Sequence, residues 1–271
     1  MAFKKTFWSD KLEEKLYANQ PLIDVVRADF EGEAKFGNMV KVYTYESAVT
    51  VQDYDGVTPV PAQKLAPSEV TLLIDQAKTF RIRTDRVDEL QGDPMAIDKF
   101  AKTAMFEVGQ LIESKIYAHK ADLTNNLDLS GQGPMDATNA VSIIEKLEVL
   151  LDDENVDTDR FLYVPNAIKS ILRQANYLNV TPVTNSETGG TREVARWGNF
   201  EVISSSNLVA NGGVYEILFG SKDAIRFVGA LEELEYGKVE GLFGKAIFGL
   251  YVYGSAVFNS KKGGTLTIDA A

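Results

Sequence analysis

The chain contains no cysteine and a single histidine, His119. Without thiols there is no disulfide and no thiolate metal site, a composition that fits a reducing compartment. With one imidazole, Cys-His pairs and multi-histidine metal sites cannot be built within one copy. His119 falls at the end of a predicted helix, where interaction with the helix dipole or with solvent accounts for it better than catalysis. Basic excess is also missing. Lys and Arg total 28 against 39 Asp and Glu, a net charge of −11. Affinity for nucleic acid depends on cations placed against phosphate, so tight direct DNA binding is not expected. A container wall that does not adhere to a packed polyanion remains compatible with this charge.

Long apolar runs are absent too. A spanning helix needs roughly 18 consecutive apolar residues. The most apolar segment, 242–258, is interrupted by Gly244, Lys245, Gly249 and Gly254 and reads as a buried strand pair. No membrane association is expected. The N-terminal stretch has no apolar core of a secretory leader. There is no GxxxxGK[ST], and no GxGxxG follows a strand. The Gly-Gly pairs at 189–190, 212–213 and 263–264 read as turns. The acidic run 153–159 fails the calcium-loop pattern, because Thr158 stands where glycine is required and Val164 where glutamate is. Of the carboxylate pairs, Glu232 and Glu233 sit adjacent on a predicted strand and Asp152 and Asp153 border a solvated loop. Neither makes an acid–base dyad. No catalytic residue, cofactor or metal site is assigned.

What is present is an ordinary globular composition, 45% hydrophobic and 25% charged over 271 residues, enough to bury a substantial core in one large or two modest domains. Residues 8–18 form a candidate helix with Trp8, Leu12 and Leu16 on one stripe, ended at Asn19-Gln20-Pro21. The runs 39–51 and 69–83 both read as strands of a long ribbon. In the returning run Val70, Leu72, Ile74, Phe80 and Ile82 face one side and Thr71, Asp75, Thr79, Arg81 and Arg83 the other. The tip between them carries Pro59, Pro61 and Pro67, which remove amide donors and limit edge pairing. An isolated two-stranded ribbon is marginal in water, and its open edges invite another chain. A partner surface on a neighbouring copy is expected, with Val57, Val60 and Leu65 as apolar contacts near the tip. Arg81, Arg83 and Arg86, alongside Asp85, Asp88 and Glu89 at the base, read either as an ordinary charged surface or as charge complementarity across that contact.

Gly92-Asp93-Pro94 opens a predicted helix over 94–120. Its stripe is read as Ile97, Phe100, Ala104, Val108, Leu111 and Ile116. Ser130 to Pro134 forms a linker, and Asp136 or Thr138 can cap a second helix with stripe Val141, Ile144, Leu147 and Leu151. A strand over 161–164 and a helix carrying Ile168, Ile171 and Leu172 come next. Residues 181–191 read as a loop, and glycine-punctuated strands follow over 200–204, 214–219, 224–236 and 246–258. No internal repeat occurs.

The order of these elements, with the stretches Asp157-Thr-Asp-Arg-Phe-Leu-Tyr-Val-Pro165, Trp197-Gly-Asn-Phe-Glu-Val-Ile-Ser-Ser-Ser-Asn-Leu208 and Phe243-Gly-Lys-Ala-Ile-Phe-Gly-Leu-Tyr-Val-Tyr-Gly254, resembles the major capsid proteins of tailed bacteriophages. The resemblance implies an α+β, HK97-like capsid fold. Its parts would be an N-terminal arm (1–37), an extended β-hairpin or E-loop (38–83), a long spine helix in a peripheral part (84–133), a mixed α/β axial domain (134–225) and C-terminal strands shared by the two domains (226–271). It implies a non-enzymatic shell protein, a homo-oligomer of pentamers and hexamers in an icosahedral virion. The shell would enclose double-stranded DNA with little specific contact and assemble in the host cytoplasm with a portal. No long charged helical extension precedes the arm, so a separate scaffolding protein, or prior processing of the chain, is expected. Lys64 lies in the tip, but no crosslinking partner can be assigned. Two other readings stand beside this one: an encapsulin-like nanocompartment shell, and a soluble α+β enzyme.

Overall fold

The structure is a computed structural model and describes residues 21–26, 37, 39–44, 53, 68–85, 96–156, 159–176, 178–184, 191–238 and 244–270. The helix expected over 8–18, most of the ribbon tip and the Asp93-Pro94 cap lie outside the described residues.

A seven-stranded sheet forms the middle layer. It contains β4 (Asn125–Asp128), β5 (Arg160–Pro165), β6 (Asn179–Thr184), β7 (Thr191–Trp197), β8 (Phe200–Ser205), β9 (Val214–Ser221) and β12 (Gly263–Asp269), in the order β4-β12-β9-β5-β8-β7-β6. The β12–β4 and β5–β8 pairs are parallel and the others antiparallel. At its centre β5 is buried along its whole length, which is why Phe161 to Val164 is uninterruptedly apolar. Phe161 and Tyr163 enter one core with Met105, Val108, Ile112 and Ile116 of the long helix α2 (Ala96–Ala118) and with Leu22, Ile23 and Val26 of the short helix α1 (Pro21–Val26). Leu162 and Val164 enter the opposite core with Ile144, Leu147 and Leu151 of α3 (Ala140–Asp153) and Ile168 and Leu172 of α4 (Asn166–Gln174). Each such side chain contributes about 1.5–3 kcal/mol by leaving water.

A three-stranded antiparallel sheet lies beside this layer, in the order β10 (Ile225–Lys238), β11 (Gly244–Val257), β3 (Gln76–Asp85). It shares the α2 core through Phe227, Ile247 and Tyr251. The ribbon base is a two-stranded pair, β1 (Met39–Thr44) with β2 (Ser68–Leu73).

The structure revises several sequence expectations. The returning ribbon run is two strands, divided at Ile74 and Asp75: β2 pairs with β1, whereas β3 joins β11. The ribbon base is therefore housed in its own subunit. Val40, Leu72 and Ile74 bury against Val228 and Val252, and the Gly37 amide donates to the Ile74 carbonyl at 2.9 Å. A Cβ on Gly254 would lie 2.3 Å from the Leu73 carbonyl oxygen, so glycine lets the ribbon cross β11 there. The predicted side alternation holds: Leu72 and Ile74 are buried, while Thr71, Asp75, Thr79, Arg81 and Arg83 are exposed.

On α2 the stripe has a different phase. Phe100 and Leu111 are exposed, and Met105 and Ile112 take the inner positions with Val108 and Ile116. Within 242–258, expected as a strand pair, residues Gly244–Val257 form the single 14-residue strand β11. The loop expected over 181–191 contributes residues 181–184 to β6 and Thr191 to β7, paired as a hairpin at the sheet edge. Edge placement accommodates Pro182, which lacks an amide donor. Gly263 and Gly264 open β12 instead of forming a turn, because a Cβ on Gly264 would lie 1.7 Å from the Asn125 carbonyl oxygen of β4. Ahead of α3, Asp136 accepts from the Thr138 and Asn139 amides, both at 2.8 Å, and Asn139 is the helix cap.

Candidate assembly surface

Among the described residues, exposed large apolar side chains gather on two faces, with Val149, Val180 and Val209 standing apart. On the ribbon base, period-two alternation sends Val40 and Leu72 inward, leaving Met39, Lys41, Tyr43, Glu69, Thr71 and Leu73 on the outward face. Met39 and Leu73 are directly paired across the strands. With Tyr43 they are between 46% and 60% exposed, which makes this face a candidate contact surface. Between them Lys41 Nζ lies 2.5 Å from Glu69 Oε1. This hydrogen-bonded ion pair holds the Lys41 ammonium above the ordinary lysine range. The second face belongs to α2, where Phe100 and Leu111 are three helical turns apart on one outer stripe and both at least half exposed.

Of the six residues expected at intersubunit contacts, Val57, Val60, Leu65 and Arg86 lie outside the described residues. Arg81 and Arg83 are on the exposed side of β3, one of the two edge strands of the three-stranded sheet. Arg81 also has a use within its own subunit. Its guanidinium carbon lies 4.7 Å from the ring centroid of its cross-strand partner Phe248, an arrangement worth about 0.5–1 kcal/mol at an exposed site.

Among the described residues no group of three or more His, Cys, Asp or Glu side chains is placed to hold a metal, and the polar residues singled out in the sequence have other uses. His119 is tied down at both nitrogens: Nε2 lies 2.9 Å from Ser255 Oγ on β11 and Nδ1 3.2 Å from Asp122. It links the end of α2 to the sheet rather than standing in solvent. The acidic segment after α3 is organised by a protein cation. The buried Arg160 guanidinium donates through Nε to the Val156 carbonyl at 2.7 Å and through Nη2 to Asp152 and again to Val156. Glu232 sits at a register shift in β10, and both Glu232 and Glu233 are exposed. No helix among the described residues is long and apolar enough to cross a membrane.

One polar group went unnoticed in the sequence. Glu113 of α2 is 1% exposed. Its Oε2 accepts from Asn207 Nδ2 at 2.7 Å, Ser205 Oγ at 3.1 Å and the Tyr163 hydroxyl at 3.2 Å. Burial raises its carboxyl above the usual glutamate range, against the three hydrogen bonds that lower it. Burial and the neighbouring carboxylate likewise push the Tyr163 hydroxyl up. The sequence signal was a lone acid on the inner helical face, one residue after Ile112, visible only once the stripe is set in its true phase.

No protein-family model matches the chain, and no curated protein does. Solved structures match over most of its length. A structure from Mycobacterium phage Che8 is 22% identical at a TM-score of 0.64, covering 90% of this chain and 89% of that one. The capsid structure of cyanophage P-SCSP1u is 14% identical at a TM-score of 0.61, covering 88% and 84%. The holo-SrpI encapsulin complex from Synechococcus elongatus is 12% identical at a TM-score of 0.55, covering 87% and 84%.

Proposed function

We propose that this chain, which has the HK97-like fold of phage capsids and encapsulins, is a major capsid protein that builds an icosahedral phage head as pentamers and hexamers. One observation carries this reading: the likeness to a phage structure runs through about nine-tenths of both chains, 90% of this one and 89% of that one.

In this reading the ribbon, with its base at β1 and β2, is the E-loop. Helix α2 is the spine helix, and the seven-stranded sheet with α3 and α4 forms the core of the axial domain. The outward ribbon face and the tip residues Val57, Val60 and Leu65 lie against an adjacent copy, while Arg81, Arg83 and Arg86 set register by charge. Each contact is modest at about 25 cal/mol per Å² of apolar area; closure of the shell multiplies them. A portal, a scaffolding protein and enclosed DNA are its further partners, with assembly in the host cytoplasm.

Purified protein should elute in the void volume of a size-exclusion column and show closed particles by negative-stain electron microscopy. A stable monomer or dimer at micromolar concentration would remove the shell reading and restore the soluble α+β enzyme. The encapsulin likeness supports a second reading, a compartment holding protein cargo. Particles purified from the native source separate the two: nuclease-protected DNA inside marks a phage head, a co-purifying enzyme a nanocompartment.

A further inference from the structure

Helix α2 and the seven-stranded sheet are joined at one buried polar point. Glu113 leaves α2 in the middle of an otherwise apolar face, and the three groups that donate to its Oε2 come from three places on the sheet side. Tyr163 is in the central strand β5, Ser205 ends β8, and Asn207 belongs to the loop that follows. The neighbouring Leu208 is buried in the α2 core, and the Asn207 amide is held by Ser205 Oγ at 3.1 Å. Other ionisable groups reach this region from the packed elements. Tyr117 of α2 has its ring 6.2 Å from that of Tyr163 and is flanked by the Lys120–Glu216 pair. Lys169 of α4 is bound to Ser204 Oγ.

We propose that Glu113 is a proton-operated latch that fastens α2 to the seven-stranded sheet and the 205–208 segment, held most firmly when its carboxyl is protonated and eased when it is charged. The direction follows from linkage. In the closed arrangement burial outweighs the three hydrogen bonds and raises the carboxyl, whereas an opened, hydrated Glu113 titrates at the ordinary glutamate value. The closed state therefore binds the proton more tightly. As pH rises from the ordinary value to the raised one, the open state gains, by at most about tenfold per pH unit for a single group. Above the raised value the effect levels off. The inference concerns one subunit and does not depend on the shell reading.

The test is hydrogen–deuterium exchange of the full chain between pH 5 and 8, with rates corrected for intrinsic exchange, read on peptides covering 203–210 and the second half of α2. Protection should fall as pH rises in the unmodified chain. It should be independent of pH in Glu113→Gln, at a level near the acidic wild-type value. Flat wild-type protection, or retained pH dependence in Glu113→Gln, overturns the latch. Should Glu113→Gln fail to fold, Ser205→Ala supplies a second arm. Removing a donor leaves the charged carboxylate less compensated and moves the wild-type midpoint to higher pH, and an unmoved or lowered midpoint also overturns it.

Discussion

At the residue scale, the tightest constraint lies where two backbones approach with no room for a side chain. A methyl group at position 264 would lie 1.7 Å from the Asn125 carbonyl oxygen and 2.7 Å from the Phe219 ring, and neither β4 nor the buried ring can retreat without opening the sheet. Gly264→Ala should therefore destabilise the subunit by roughly 3 kcal/mol or more, lowering the thermal midpoint by roughly 6 °C or more. Gly212→Ala is the control. Its φ of +61° strains an alanine, but nothing lies within 4 Å, so about 1–2 kcal/mol is expected. Equal losses in the two variants, measured by thermal melts followed by circular dichroism, would show that backbone conformation and not close approach governs both sites. Residue-level chemistry was only half legible in the sequence. The lack of Cys and His clusters is plain from composition, whereas the Ser205 contact of Glu113 and the Ser255 contact of His119 depend on partners 92 and 136 positions away. Local pattern does not reach across such separations.

At the scale of elements, alternation in the ribbon was readable and strand pairing was not. Val70, Leu72, Ile74, Phe80 and Ile82 keep one phase through the whole run, so nothing in the pattern reveals that the chain changes partner from β1 to β11 at Ile74 and Asp75. On α2, Phe100 and Leu111 counted as apolar and drew the predicted stripe onto the outer face, where the fold leaves them uncovered. Large apolar groups kept outside are what an assembly surface requires, and they mislead a reading that assumes one subunit. The outward ribbon face gives the matching prediction. Met39→Lys with Leu73→Glu, an opposite-charge pair at facing positions, should leave the isolated subunit within about 0.5 kcal/mol of its original stability and abolish particles, as seen by denaturant melts and analytical ultracentrifugation. Normal particles from the double variant would exclude this face from the contact. Leu72→Ala, on the inward side of the same strand, should instead cost the subunit about 2–5 kcal/mol.

For the whole molecule, order and spacing of elements carried more than any motif. Matching structures at 12–22% identity share the arrangement across almost the entire chain, and the residues common to such distant sequences are too few for one short stretch to be diagnostic. If shell assembly depends on the arm, deleting 54–66 should leave a folded subunit, because the ribbon base is anchored by Val40, Leu72 and Ile74 within its own core, yet yield no closed particles by electron microscopy. Ordinary shells from that deletion would remove the tip from assembly. The division of the returning run at Ile74 and Asp75 has a mechanical consequence. Only Ile74 and Asp75 separate β2 from β3, and β3 is stitched along ten register positions to β11, so the β1–β2 pair is joined to the three-stranded sheet with no intervening loop. A displacement of β2 would therefore pass directly into β3 and β11 rather than be absorbed by a connecting loop.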